Sequence, residues 1–184
     1  MPSHENVELG ESFVDPGVNA AHINTILGPR GSAAETAWTT GLATPSTGHE
    51  PFVVIMRPGV PVQPFTLFVS KAAPANDRHG ELIWGAAQAG VAAGVADSVA
   101  SGTVAADEAA DLRLIVAVWV NPAADDGEAV YRNNRLATAT ALANGHAGEP
   151  NVETVLKTRG QIANPFFTPA DGGAAGTEPS EQQS

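Results

Sequence analysis

The chain has 184 residues and a net charge of −11, from nine Lys and Arg against twenty Asp and Glu. Binding to a nucleic-acid backbone needs clustered positive charge, so this acidic composition disfavours nucleic acid as a partner. Hydrophobic residues make up 43% of the sequence, which excludes a wholly disordered chain. Cysteine is absent, which excludes disulfides, zinc–cysteine sites and a thiol nucleophile.

The first residues and the apolar runs bear on localisation. The segment MPSHENVELGE has no basic region followed by an apolar one, so no signal peptide is predicted. No run is expected to supply the ~20 apolar residues that a membrane helix needs. We therefore expect a cytoplasmic protein with no membrane partner.

Composition divides the chain into a central domain and two polar ends. Residues 1–6 are polar and are predicted to form a flexible N-terminus, and residues 7–167 are predicted to form one domain. Residues 168–184 (TPADGGAAGTEPSEQQS) combine Gly, Pro, Ser and Glu without apolar periodicity, which predicts a disordered tail.

Strand and helix patterns alternate within the central domain. Strands are predicted at residues 20–27, 52–56, 66–70 and 112–120. Helices are predicted at residues 32–42, from Asn76 or Asp77 to Gly102, at 128–144 and, as a short turn, at 152–157. Ser32 and Glu35 have the spacing of a capping box at the first helix. This alternation predicts an α/β or α+β domain with a mixed sheet.

The long second helix has two different faces. One face carries apolar residues at every fourth position: Ala87, Val91, Val95 and Val99. The opposite face is rich in small residues: Gly85, Ala86, Gly90, Ala93 and Gly94. Glycine costs ~1 kcal/mol relative to Ala in a helix interior. We therefore predict that another backbone packs closely there, in preference to a ligand.

His22 is the first candidate for chemistry. Because strand side chains alternate, His22 and Asn24 share one face of the predicted strand, and the more apolar face is expected to pack on helices. The two polar side chains would then point together at a cleft or an interface. An imidazole can donate and accept a proton near neutral pH, as general acid catalysis requires. The alternative is a structural His with one hydrogen bond.

Other polar residues permit two interpretations each. Lys71, at the end of a predicted strand, could bind a carbonyl or carboxylate or could simply be solvated. The Gln88 amide, near the start of the long helix, could hydrogen-bond a heteroaromatic ring or face water. GPRG (28–31) leads into a helix N-terminus, which can bind an anion, but it lacks a P-loop or dinucleotide spacing and is better explained as a turn. No metal-ligand spacing is present, so no metal site is predicted.

Long ordered segments of the chain resemble formaldehyde-activating enzyme. They are LGESFV (9–14), AHINTILGPRGSAAETAW (21–38), GLATPSTGHEPFVVIMRP (41–58), PFTLFVSKA (64–72), WGAAQAGVAAGVADSVASG (84–102), DEAADLRLIVAVWV (107–120), GEPNVETVL (148–156) and NPFF (164–167). The match covers nearly all of the central domain, in order and with few gaps. A match of this length is far more specific than any short motif.

The resemblance implies a fold, a reaction and an assembly. The implied fold is α+β, similar to ribosomal protein S5 domain 2, in a homopentamer with sites between subunits. The implied reaction condenses formaldehyde with tetrahydromethanopterin to the methylene derivative and water, without a metal or redox cofactor. By the same resemblance, His22 is the general acid that helps hydroxide leave a hydroxymethyl intermediate. Pterin contacts carry over to Lys71 and Gln88, and the position of Val53 implies a backbone or packing contact.

Two departures from the family pattern fall on implied pterin contacts. The Asp expected two residues after the His is Asn24, which keeps hydrogen bonding but loses the charge. The Thr expected two residues after the Lys is Ala73, which loses a hydroxyl. These changes leave two alternatives to catalysis with tetrahydromethanopterin. One is a divergent paralogue that binds formaldehyde or a pterin as a buffer or sensor, and the other is condensation on a different one-carbon carrier.

Overall fold

A computed structural model describes residues 6–48 and 50–170, which form two compact units, one ending at Glu149 and the other beginning at Pro150. The strands of the first unit are β1 (Glu8–Val14), β2 (Ala21–Pro29), β3 (Pro51–Val53), β4 (Ile55–Arg57), β5 (Val60–Pro61), β6 (Phe65–Ser70) and β7 (Leu112–Val120). Its α-helices are α1 (Ala33–Ala43), α2 (Asp77–Glu81), α3 (Gln88–Ala100) and α4 (Gly127–Ala147). A π-helical turn, Leu82–Ala87, joins α2 to α3.

The strands form one main sheet and one small hairpin. The main sheet has five strands in the order β1-β2-β7-β6-β3. Strands β6 and β7 are parallel, and the other neighbouring pairs are antiparallel. Strands β4 and β5 form the separate hairpin. A mixed sheet packed with helices confirms the predicted α+β architecture.

The core lies between one face of the main sheet and the helices α3 and α4. Along β2, Ala21, Ile23, Thr25 and Leu27 are buried, and the residues between them are only partly buried. Gly28, which follows Leu27, is buried under α1. Val116 and Val118 of β7 lie opposite Thr25 and Ile23 and are also buried. The alternation predicted for this strand is therefore confirmed, and His22 and Asn24 lie on the face away from the core.

Helices α3 and α4 pack together through glycine. A Cβ added at Gly90 would lie 2.5 Å from the carbonyl oxygen of Tyr131, and one at Gly94 would lie 2.5 Å from that of Arg135. The prediction of a close backbone approach is confirmed at these two positions. It is wrong at Gly85, because a Cβ there would meet no atom within 4 Å.

Helix α1 covers one end of the sheet face away from the core. Ser32 caps the helix, since its Oγ accepts a hydrogen bond from the backbone N–H of Ala34 at 3.2 Å. Glu35 accepts from the backbone N–H of Gly31 at 2.8 Å, one residue before the position that a capping box requires. A Cβ at Gly28 would lie 2.9 Å from the Cβ of Ala34, so glycine allows α1 to pack there.

Two strands differ from the prediction for identifiable reasons. Apolar alternation does not predict β1, because the buried positions of this strand are Gly10 and Ser12. A side chain at position 10 would overlap the Ala141 carbonyl of α4. The predicted strand 52–56 is divided at Val54, whose N–H donates to Thr66 and whose carbonyl accepts from Val62. At that residue the chain passes from the main sheet to the hairpin.

The helical run Asp77–Ala100 is long and apolar enough to cross a membrane by length and composition alone. The prediction that no run reaches this length is therefore wrong for this segment. Half of its most apolar window, 50%, is buried inside the protein, and most of its large apolar residues belong to the core, with Trp84 exposed. A core helix passes the same test, so this run is weak evidence for a membrane partner.

The second unit contains one helix, α5 (Val152–Thr158), among its described residues, close to the turn predicted at 152–157. Asn151 caps it by accepting from the backbone N–H of Thr154 at 2.9 Å. Beyond it, Asn164 and Phe167 exchange backbone hydrogen bonds. The predicted flexible N-terminus lies outside the described residues except for Asn6, and the predicted tail lies outside them from residue 171 onward.

Candidate active site

The sheet face away from the core carries the predicted catalytic residue. His22 on β2 lies opposite Phe13 of β1 and Trp119 of β7 in the strand register. Its imidazole is partly exposed, and the ring centroids of His22 and Phe13 are 5.6 Å apart. The imidazole therefore has aromatic neighbours and access to solvent, so a ligand can reach it.

A carboxylate that is not among the predicted site residues contacts this imidazole. Glu11 Oε1 lies 3.2 Å from His22 Nε2. Glu11 is on β1 and lies opposite Asn24, which makes it a diagonal neighbour of His22. Diagonal neighbours across an antiparallel pair are within reach of long side chains. Because apolar alternation does not predict β1, Glu11 could be found from the sequence only by pairing LGESFV with AHINTIL.

Lys71 completes a charged cluster with Glu11 and His22. It follows β6, and its backbone N–H donates to the Val118 carbonyl at 2.8 Å, which extends the β6–β7 pairing by one residue. The Lys71 Nζ donates to the backbone carbonyl of His22 at 3.3 Å. The ammonium thus reaches across β7 to β2 and is partly buried, in contrast to the solvated Lys that is the usual case.

Burial and charge both change the acidity of these groups. Burial, together with the Lys71 cation, holds the pKa of His22 below its ordinary value of 6.5, and the Glu11 carboxylate opposes this shift. Burial lowers the pKa of Lys71 from 10.5 to about 8, again against the influence of Glu11. The Lys71 ammonium therefore exchanges its proton closer to neutral pH than an ordinary Lys does, while the lowered pKa of His22 favours the neutral imidazole.

The remaining predicted contacts lie at different positions around this face. Asn24 is opposite Ala117 on the same face as His22, and Val53 is on that face at the far edge of the sheet. Ala73 is exposed, in the segment between β6 and α2. Gln88 is at the start of α3, where its side-chain oxygen accepts a hydrogen bond from the backbone N–H of Ile55 at 2.7 Å. The fold brings His22, Asn24 and Lys71 together, while a side-chain hydrogen bond joins Gln88 to the hairpin.

Other features are separate from this cluster. A cleft of about 570 Å³ is lined by residues of the π-helical turn and the start of α4, including Gly85, Asp126 and Tyr131, and by none of the predicted site residues. His79 is a structural histidine, since both of its ring nitrogens hydrogen-bond to backbone atoms of Ala75 and Val120. Among the described residues, no three His, Cys, Asp or Glu side chains are grouped to hold a metal ion.

Comparison with protein families places this site in context. The sequence model described as "Formaldehyde-activating enzyme (Fae)" matches residues 9–167. The chain belongs to the formaldehyde-activating enzyme family. The matched residues include Glu11 of β1, His22 of β2, and Lys71, so the whole charged cluster lies within the family domain.

Curated relatives of this family member include one protein that the match covers almost entirely and several bifunctional proteins. The "5,6,7,8-tetrahydromethanopterin hydro-lyase" of Methanosarcina barkeri is 37% identical over 158 residues, covering 86% of this chain and 89% of the relative. The "Bifunctional enzyme Fae/Hps" of Methanosarcina mazei is 35% identical over 82% of this chain and 38% of the relative. The protein of the same name from Archaeoglobus fulgidus is 32% identical over 86% of this chain and 40% of the relative. The chain thus spans about two-fifths of these bifunctional relatives.

Proposed function

We propose that this chain is a hydro-lyase that condenses formaldehyde with tetrahydromethanopterin, forming the methylene derivative and water. Family membership and the relative named tetrahydromethanopterin hydro-lyase support this reaction. The observation that carries the catalytic assignment is the His22 imidazole, which is accessible on the sheet face and lies 3.2 Å from a carboxylate. His22 is the general acid in this proposal.

The proposed reaction has three steps that balance without an oxidant or reductant. One amine of the pterin adds to formaldehyde and forms a hydroxymethyl group. Protonated His22 then gives its proton to the hydroxyl as the carbon–oxygen bond breaks, which releases water and leaves an iminium ion. A second amine attacks that carbon and releases one proton, which restores the protonated imidazole. The proposal accordingly includes no metal or redox cofactor, and tetrahydromethanopterin is a co-substrate.

The other predicted residues would hold the pterin beside His22. Lys71 offers an ammonium group, and Asn24 offers an amide on the same sheet face. Gln88 has its oxygen bonded to Ile55, so its NH₂ group is the part that would donate to a pterin. Val53 would contribute packing, and Ala73 would contribute only its backbone and methyl group. Holding the two substrates together would supply much of the rate.

We further propose that the site is completed in a cytoplasmic homopentamer, as the family resemblance implies. On this sheet face the His22 side chain is partly exposed, and Leu9 on the edge strand is 67% exposed. A second copy over this face would exclude water from the charged cluster. Analytical ultracentrifugation tests this part, because a protein that stays monomeric at assay concentrations contradicts it.

The decisive experiment follows formaldehyde consumption with and without tetrahydromethanopterin. We expect the native protein to accelerate the reaction only with the pterin, and His22→Ala to lose about 10²- to 10⁴-fold, the usual contribution of a general acid. The control is His146→Ala, which removes a partly exposed His that lies 3.3 Å from Glu8. Its rate should match that of the native protein.

Two results would contradict the proposal. If the native protein does not exceed the spontaneous rate but binds the pterin, the chain is a binding protein rather than an enzyme. If the native protein is active and His22→Ala is equally active, the reaction stands and His22 is not its acid. Repeating the assay with other reduced pterins identifies a different carrier.

A further inference from the structure

We infer that Glu11 is a positioning residue for His22, and that it supplies the negative charge that Asn24 does not. This inference rests on the proposed function. Glu11 projects from the edge strand β1, and its carboxylate is in ion-pair distance of His22 Nε2, at 3.2 Å. The contact joins two strands, so the orientation of the imidazole depends on the register of β1 against β2.

The position of Glu11 explains how the site can function without a carboxylate at Asn24. In the antiparallel register Glu11 lies directly opposite Asn24, so the two side chains are on the same face and next to each other. A carboxylate from either residue can therefore occupy the space beside His22. In this chain the carboxylate comes from β1, and the neutral amide of Asn24 avoids two like charges opposite each other.

The groups that face His22 define what Glu11 contributes. Lys71 approaches from the end of β6 and is the charged neighbour that opposes protonation of the imidazole. The neighbours of His22 in register, Phe13 and Trp119, carry no charge. Glu11 is thus the charged neighbour that favours the protonated imidazole, the form that a general acid must have before it donates.

The test compares Glu11→Gln with Glu8→Gln. Glu8 is on the same strand and also pairs with a His, His146 at 3.3 Å, but it lies opposite Leu27, near the other end of β2 from His22. The titration of the His22 imidazole, followed by NMR, should move to lower pH in Glu11→Gln and stay unchanged in Glu8→Gln. In the condensation assay Glu11→Gln should lower kcat about tenfold with little change in KM, and its rate–pH profile should move in the same direction.

A second variant separates charge from a merely structural role. Adding Asn24→Asp to Glu11→Gln returns a carboxylate to the neighbouring position. We expect this double variant to bring the His22 titration most of the way back to its native pH and to recover most of kcat. An unchanged His22 titration in Glu11→Gln would overturn the inference, and so would a double variant that restores neither property. The titration does not depend on catalysis, so it still decides the role of Glu11 if the native protein proves inactive and the proposed function fails.

Discussion

The side-chain oxygen of Gln88 accepts a hydrogen bond from the backbone N–H of Ile55 at 2.7 Å. This bond connects the first residue of α3 to the first residue of the β4–β5 hairpin, 33 positions earlier in the chain. The residue expected to contact a pterin therefore also holds the segment that follows Val53. A change at Gln88 can affect the site in two ways, and different substitutions distinguish them.

Replacing Gln88 with Ala should release the hairpin, and replacing it with Glu should not. The carboxylate of Gln88→Glu keeps an acceptor for the Ile55 N–H but removes the NH₂ donor. A hydrogen bond contributes ~1 kcal/mol, so amide hydrogen exchange at Ile55 should be about fivefold faster in Gln88→Ala than in the native protein. In Gln88→Glu the exchange should remain slow while pterin affinity falls. Equal exchange in all three proteins would show that the bond does not hold the hairpin.

Lys71 should make stability depend on pH in the alkaline range. Its pKa is lowered by burial from 10.5 to about 8, so between these values the unfolded chain binds a proton that the folded chain has released. The free energy of unfolding must then rise with pH in this window. Compared with Lys71→Met, the native protein should gain stability between pH 8 and about 10.5. Urea unfolding of both proteins near each end of the window measures this, and a constant difference would contradict it.

Much of the fold can be predicted because most elements have a clear apolar period. The alternation of apolar and polar residues along β2 is enough to place His22 and Asn24 on the same face. The sequence pattern also predicts β7 and α4, each as one uninterrupted element. The cluster around His22 can be predicted only in part. Glu11 depends on the pairing of an edge strand whose buried residues are Gly10 and Ser12, and such pairing is a tertiary property with no local apolar signal.

The N-terminus of α4 should depend on Asp126. Its carboxylate accepts hydrogen bonds from the backbone N–H groups of Glu128 at 2.9 Å and Ala129 at 3.1 Å. Removing such a cap costs ~1 kcal/mol, so Asp126→Ala should lower the free energy of unfolding by about that amount. Asp126→Asn retains an oxygen acceptor and should stay within a few tenths of a kcal/mol of the native protein. Chemical denaturation compares the three, and a loss of the same size in both variants would assign the effect to charge instead of capping.

The glycines of the long helix should respond to alanine in opposite directions. At Gly90 the added methyl group would lie 2.5 Å from the Tyr131 carbonyl oxygen and 2.9 Å from the Asn134 Cβ, so α3 and α4 must separate. We expect Gly90→Ala to lower the free energy of unfolding by ~1–3 kcal/mol, as overpacking does in other cores. Because α4 also packs on β1 and β2, the shift should extend to the strands that carry Glu11 and His22.

Gly85→Ala is the matched control, because it makes the same substitution in the same helical run where no atom lies within 4 Å of the added methyl group. There the helix propensity of Ala should raise the free energy of unfolding by ~0.5–1 kcal/mol. Urea unfolding measures both variants. Stabilisation by Gly90→Ala would mean that the two helices can move apart freely, and that the close approach at Gly90 does not require glycine.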